Sequence, residues 1–469
     1  LNYVSTRGLA PALGFEDAML AGLARDGGLY VPETYPALPS ETIASFAGRP
    51  FAEVAAEVIA PFAGNGAGGA ELLGLARAAY AGFGHPAVAP LVQIGVNTFV
   101  LELFHGPTLA FKDVAMQLLA RLMDRALAKR GRRATIAGAT SGDTGGAAIE
   151  AFRGAANVDA VILFPNGRVS DVQRRMMTAP KDANVHALAI EGTFDDCQAL
   201  VKAMFNDHAF RDRAGLAAVN SINWARIAAQ ITYYFVAAAA LGAPRRPVSF
   251  AVPTGNFGDI FAGWAARKMG LPVEQLLIAT NENDILRRAR DEGVYETRGV
   301  TATSSPSMDI QVSSNFERWL FEASGRDAAW TRGKMEALKQ GGRFDLGPVA
   351  DALRRDFDAA SASEGEVADA IREVRRASGY LMDPHTACGY VALEKRRRDS
   401  RTPCVVLATA HPAKFPDAME KIAGERPALP ARLASLMTGD ERYGVLPNDL
   451  AAVEAYIAAR SRAMGEAAR

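Results

Sequence analysis

The stretch RATIAGATSGDTGG, Arg133 to Gly146, decides the fold. Its first half, RATIAGAT (133–140), is a short apolar run with the length and composition of a strand. Its second half is a glycine turn, and the helical pattern TGGAAIEAFRG (144–154) follows at once. A strand that passes through a glycine turn into a helix is the repeating unit of a parallel sheet with helices on both faces. Small residues at such a turn let a ligand approach the backbone. The free N–H groups at the helix mouth then form a seat for an anion.

The same rhythm extends to both sides. TFVLELF (98–104) reads as a strand, with a helix from Phe111 to about Lys129, and DAVILFP (159–165) is a further strand. PVSFAVPT (247–254) is a strand that feeds a second glycine turn, PTGNFGD (253–259), and another helix; TPCVVLATA (402–410) is the last clear strand. Two separated blocks of this kind predict two α/β lobes with ligands at the carboxyl ends of the strands. Neither turn is a dinucleotide fingerprint, and no phosphate-loop motif ending in Gly-Lys-Ser/Thr occurs. Residues 1–95 are rich in alanine and glycine, and FEDAMLAGLA (15–24) and FAEVAAEVIAPFA (51–63) carry a helical period. They predict a small leading domain, followed by a core over 96–430 and a helical tail over 431–469.

Composition narrows the function classes. Of the 469 residues, 49% are hydrophobic and 22% charged, as in ordinary globular chains, and Lys+Arg equals Asp+Glu at 52. A balanced chain has no global field for nucleic acid or a membrane surface, and neither is expected as a partner. The basic run EKRRRD (394–399) reads as a solvated helix end. Cys197, Cys388 and Cys404 are far apart and form no metal-ligand spacing, so neither a disulfide framework nor a metal is expected. The N-terminus has no signal-peptide pattern, and ITYYFVAAAALGA (231–243) is too short to span a bilayer. A cytoplasmic protein is the expectation, with no regulatory domain after about residue 430.

One lysine stands out. HGPTLAFKD (105–113) places Lys112 at the mouth of a helix, where the helix dipole disfavours a cation. A solvated junction lysine is the plain reading. A lysine beside two anion seats also fits pyridoxal phosphate, which needs a lysine for a Schiff base, a phosphate cup and a partner for its ring nitrogen.

HGPTLAFKD, ATSGDTGG, NSINWARIAAQ, PTGNFGD, MDIQVSSNFER, DPHTACGY and ATAHPAKF occur in this order, and together they resemble the threonine synthase family in its longer form with an extra N-terminal domain. The resemblance runs from about residue 3 to 425. It implies the tryptophan-synthase-β-like fold of pyridoxal-phosphate enzymes, behind a small N-terminal α+β domain. The implied reaction takes O-phospho-L-homoserine and water to L-threonine and phosphate by γ-elimination and β-addition of water, in a lyase closing threonine biosynthesis. Lys112 is then the catalytic residue, covalently joined to the cofactor. Gly255, Asn256, Phe257 and Gly258 hold the cofactor phosphate with Asp259 beside them, Asp143 adjoins the ring hydroxyl, and Thr409 faces the ring nitrogen. Ser141, Gly142 and Thr144 wrap the substrate carboxylate, and Asn223 and Arg226 take its phosphate.

Ser5, Thr6, Arg7 and Lys181 are weaker candidates, each read first as structural. His105 is a candidate for lining the site, and His385 and His411 for shaping its wall. The methionines of QRRMMT (173–178) are expected to pack. The rivals are a serine/threonine dehydratase or β-replacing synthase of the same fold, and a catalytically idle relative that binds pyridoxal phosphate or a phosphorylated ligand as a sensor. A monomer or a homodimer is expected.

Overall fold

The computed structural model describes residues 1–64, 68–140 and 142–465. The strand Ala134–Ala139 sits in a five-stranded, all-parallel sheet, and the strand Val158–Pro165 beside it is buried along its whole length. Side-chain alternation explains why these strands read as continuous apolar runs. Ala137, Val161 and Leu163 face one core cluster with Leu200 and Met204, while Ile136, Ala160 and Ile162 face another with Leu118 and Ile149. Both faces are covered by helices, so neither set can be polar.

The second sheet has six strands in the order Asp358–Ser361, Val273–Thr280, Val248–Pro253, Cys404–Ala408, Thr98–Glu102, Leu91–Gly95. All neighbours are parallel except the last pair. Here too the strands alternate between two buried faces, with Ala251, Leu277 and Val406 on one and Phe250, Leu276 and Val405 on the other. The carboxyl ends of Thr98–Glu102, Val248–Pro253 and Cys404–Ala408 therefore lie together, and each leads into a segment marked in the sequence.

The helix Trp224–Ala240 ties the two lobes together and is buried on nearly all sides. That accounts for its apolar run; among the described residues no helix is long and apolar enough to cross a membrane. The leading segment packs through Phe51–Ala63 onto this helix. Its start is tied to the helix Phe316–Ala323: Thr6 donates to Glu317 at 2.6 Å, and Arg7 forms two bonds to the same carboxylate at 2.9 Å. Ser5 donates to Asp26. These three residues serve as ties in the frame.

Two boundaries differ from the sequence reading. Residues 91–95 form the edge strand of the six-stranded sheet, paired antiparallel with Thr98–Glu102. Residues 431–469 were expected as a helical tail, yet Gly444–Pro447 adds as a parallel edge strand beside Val185–Glu191. Four residues without a helical period are too few to reveal a strand whose partner lies about 250 residues earlier. Lys181 belongs to this junction, donating to the Asp440 carbonyl at 2.8 Å.

Candidate functional site

The loop before Lys112 is folded back on its own helix. Asp113 in the first helical turn accepts from the Thr108 N–H at 2.7 Å and its hydroxyl at 2.6 Å. A Cβ on Gly106 would stand 2.3 Å from the Asp113 Cβ, so only glycine fits. The Phe111 N–H donates to the Thr409 carbonyl at 2.8 Å, and the His411 N–H to the Leu109 carbonyl at 3.0 Å. Lys112 is thereby set against the end of the strand Cys404–Ala408, next to Thr409.

The Lys112 side chain is only 13% exposed, and its amine lies 3.6 Å from Asp143. Burial pulls that amine below its ordinary pKa; Asp143 opposes the shift, while Lys414 and Arg226 reinforce it. The position at the start of a helix acts in the same direction. A lysine placed where a cation is disfavoured is one readied to be neutral.

Asp143 opens the helix Asp143–Phe152. It is fully shielded, yet it is held well below the usual carboxylate range because Lys414, Lys112 and Gln173 outweigh the cost of burial. Lys414 Nζ lies 2.7 Å from Asp143 Oδ1 and also donates to the Thr108 carbonyl at 2.8 Å. Gln173 donates to Oδ1 at 3.0 Å, and the Ser307 hydroxyl to Oδ2 at 3.3 Å. Behind Ser307 stands His385, whose Nε2 accepts the Ser307 N–H at 3.2 Å while Nδ1 lies 2.7 Å from Asp383. The Ser307 N–H requires a lone pair on Nε2, so the Nδ1 proton points to Asp383.

The turn before Asp143 is built by Thr140. Its hydroxyl accepts from the N–H groups of Gly142 and Gly145, both at 2.9 Å. Asp143 and Thr144 are left as the backbone donors at this helix mouth. Gly142 has φ +148°, and a Cβ there would meet Gln173 at 2.4 Å. Ser141 lies outside the described residues.

The second seat is the turn Gly255–Gly258. Phe257 adopts φ +62°, an uncommon conformation for a bulky residue, and the helix Gly258–Lys268 starts directly after it. The Gly255 carbonyl accepts from Ser313 at 2.6 Å, and the Asn256 carbonyl from the Asn315 amide at 3.1 Å. With the carbonyls engaged outward, the turn presents N–H groups at a helix N-terminus, a geometry that suits a phosphate. A Cβ on Gly255 would come to 3.0 Å from the Ser307 carbonyl, so a larger residue would require that carbonyl to give way by a few tenths of an ångström.

Asp259 lies in the first turn of the helix that follows. Tyr233 and Tyr234 both donate to its Oδ1, and its Oδ2 is buried without a partner. Burial raises its pKa to about 7 against the hydrogen bonds of the tyrosines. A neutral carboxyl with a free proton is the form that can stand beside a phosphate without repelling it. Because the folded pKa lies above the unfolded value, this group stabilises the cofactor-free protein at low pH, and the gain is lost as pH rises from about 4 to about 7. Asp259→Asn is expected to flatten that slope and to raise the melting temperature at pH 8 relative to wild type, as read by thermal melts across pH.

Arg226 is 2% exposed and has Nη1 on the Val219 carbonyl at 3.1 Å, while its Nε is buried without a partner. Burial lowers its pKa to about 10, so it stays charged at neutral pH. Asn223 is placed differently: its amide donates to the carbonyls of Met19 and Ala218, and its Oδ1 caps the helix through the Ala225 N–H. In this conformation Asn223 fastens the leading segment. His105 pairs with Glu102 at 2.7 Å, and His411 caps its own turn through the Ala413 N–H, with burial lowering its pKa to about 4. Met176 and Met177 pack as expected.

Lys414, Gln173, Ser307 and Thr140 join the site without having been singled out in the sequence. All but Ser307 lie inside stretches quoted above; the signal available was a second lysine in ATAHPAKF, behind a strand end.

Residues 2–80 match the model for the threonine synthase N terminus, 83–409 that for pyridoxal-phosphate-dependent enzymes, and 386–457 that for the threonine synthase C-terminal region. A threonine synthase from Pseudomonas aeruginosa is 54% identical, over 97% of this chain and 98% of its own. That from Saccharomyces cerevisiae is 41% identical over 93% of each. The crystal structure of a PLP-bound threonine synthase from Brucella melitensis superposes with TM-score 0.96 at 60% identity, covering 98% of this chain and 99% of that one. The Escherichia coli threonine synthase gives 0.82 at 33% identity, over 97% and 99%. With both flanking regions and the pyridoxal-phosphate core matched in a single chain, this protein belongs to the threonine synthase family of pyridoxal-phosphate-dependent enzymes.

Proposed function

We propose that the chain converts O-phospho-L-homoserine and water to L-threonine and inorganic phosphate, with the residues assigned as follows. The observation that carries this reading is the Lys112 amine, shielded and depressed, with Asp143 3.6 Å away and the Arg226 guanidinium close enough to shift it. When bound, pyridoxal phosphate joins Lys112 and supplies an electron sink for negative charge at the substrate α-carbon. Gly255, Asn256, Phe257 and Gly258 would hold its phosphate with Asp259 beside them, and Asp143 and Thr409 would be the groups that meet its ring.

Lys112, released and neutral, takes the proton from the substrate α-carbon. Its flexible stem lets the same amine take and return protons at the neighbouring carbons, so one residue supplies several steps by proximity. Asp143 holds Lys112 in place and is itself held by Lys414, Gln173 and Ser307. The helix mouth at Gly142 and Thr144, with Ser141, orients the substrate carboxylate. Arg226 receives the substrate phosphate, filling the place at Nε that no protein group occupies, and Asn223 fixes the turn that carries Arg226. The three cysteines are buried and unpaired; they suit a reducing compartment, and we place the enzyme in the cytoplasm.

The cofactor-loaded protein is expected to release phosphate and threonine in equal amounts from O-phospho-L-homoserine and to leave L-serine and L-threonine undeaminated. Ammonia from serine without phosphate release from the phosphorylated substrate would replace this reading with a dehydratase.

A further inference from the structure

A second crevice, of about 750 Å³, lies on the outer side of the five-stranded lobe. It opens between the helices Lys112–Lys129, Asp143–Phe152 and Asp171–Thr178 and the 3-10 turn Ala431–Met437. Lys112, Asp143, Arg226 and Asp259 take no part in its wall. Five Lys or Arg side chains line it against two acids. The acids are already engaged: Glu150 with Arg153 at 3.1 Å, and Asp124 with the Asn157 N–H at 2.7 Å.

Three of the cations, Arg121, Arg432 and the exposed Lys181, form no ion pair among the described residues, and the first two are partly shielded. Arg121 is half-buried, and its Nη1 donates to the carbonyl and the side-chain oxygen of Gln117, both at 2.9 Å. Arg432, at the rim, donates to the carbonyls of His105 and Gly106 at 2.9 and 2.7 Å. Burial pulls both guanidinium groups below their ordinary pKa, and among the described residues neither meets a carboxylate in an ion pair. The third observation is independent of charge. Gln117 is 5% exposed, lines the crevice, and its Nε2 is buried with no hydrogen-bond partner. An unmet buried donor costs about 1–3 kcal/mol, and a ligand oxygen removes that cost. The excess of positive charge calls for more than one negative charge on the ligand, and the planar forks of the arginines match phosphate oxygens.

We propose that this crevice is a binding site for a small, multiply charged phosphorylated molecule, held by Arg121, Arg432 and the Gln117 amide and separate from the catalytic site. It adjoins the catalytic loop, because Pro107 and Thr108 line it and Arg432 grips the two carbonyls just before them. A bound ligand therefore shares one guanidinium with the loop that carries Lys112.

Tripolyphosphate titrated into the cofactor-loaded protein by calorimetry, at fixed ionic strength, tests this. One equivalent is expected to bind. Arg121→Met and Arg432→Met should each weaken binding by about tenfold or more, while Arg355→Met, on an exposed helix face, should not. An unchanged visible spectrum of the bound cofactor in Arg121→Met verifies that this variant is folded. Absence of binding to wild type, binding that persists in Arg121→Met, or equal weakening in Arg355→Met would overturn the proposal. The second outcome would place the anion away from Arg121, and the third would mark it as diffuse surface attraction.

Discussion

Lys112→Ala is expected to lower kcat/KM for O-phospho-L-homoserine by about 10⁴-fold or more, the upper range for loss of a positioned acid–base group. The effect should fall on kcat, since substrate carboxylate and phosphate are assigned to other residues. The fold should survive, because the side chain makes one long ion pair at 3.6 Å and Asp143 keeps Lys414 at 2.7 Å. Wild type incubated with cofactor and then borohydride should retain the label on Lys112; the variant should retain none. Turnover within tenfold of wild type in the variant would return Lys112 to the plain reading of a junction lysine.

Lys414→Met is expected to cost about 3–5 kcal/mol, because it strips one partner from a buried ion pair and leaves Asp143 dependent on Lys112 and two neutral donors. Denaturant melts of the cofactor-free protein measure this. Asp143→Asn in the same chain should recover part of the loss, as neither charge is then buried alone. The pH dependence moves as well. Lys414 helps to hold the Lys112 amine down, and Asp143 pulls it up. With Lys414 gone, the Lys112 pKa rises, so the limb of the kcat profile that requires a neutral amine shifts to higher pH. A variant as stable as wild type with an unmoved profile would show that Lys414 plays no part in setting the charge at Lys112.

The parts of the site that were legible in the sequence are those that sit at strand ends and announce themselves locally. Gly142, Asp143 and Gly255–Gly258 all follow a short apolar run, and Lys112 breaks a helix-mouth rule, whereas Thr409 was named only through the family resemblance. Lys414, Ser307 and Gln173 were not legible, because each reaches Asp143 from a different element, and nothing in a local string says which elements will meet. Asn223 shows the converse. Its motif implied substrate contact, while its amide is committed to backbone carbonyls at 2.8 and 3.2 Å, a use that motif membership does not reveal. In the fold, long buried strands were readable from their apolar runs. The four-residue edge strand at Gly444 was not, because its pairing depends on a distant partner.

The strand Cys404–Ala408 is nearly the last of the catalytic core to be made, yet it lies between Val248–Pro253 and Thr98–Glu102 in the middle of its sheet. During synthesis the early hairpin of Leu91–Gly95 and Thr98–Glu102 has no neighbour on the inner side of Thr98–Glu102 until residue 408 has left the ribosome. Thr409 and Lys414 emerge only then. A nascent chain that already contains Lys112 and both glycine turns is therefore still without the carbonyl that sets the loop and the cation that pairs Asp143. The contacts that set Lys112 and Asp143 can form only once the chain has been made through Lys414, and until then the half-made sheet must be kept from pairing with other chains.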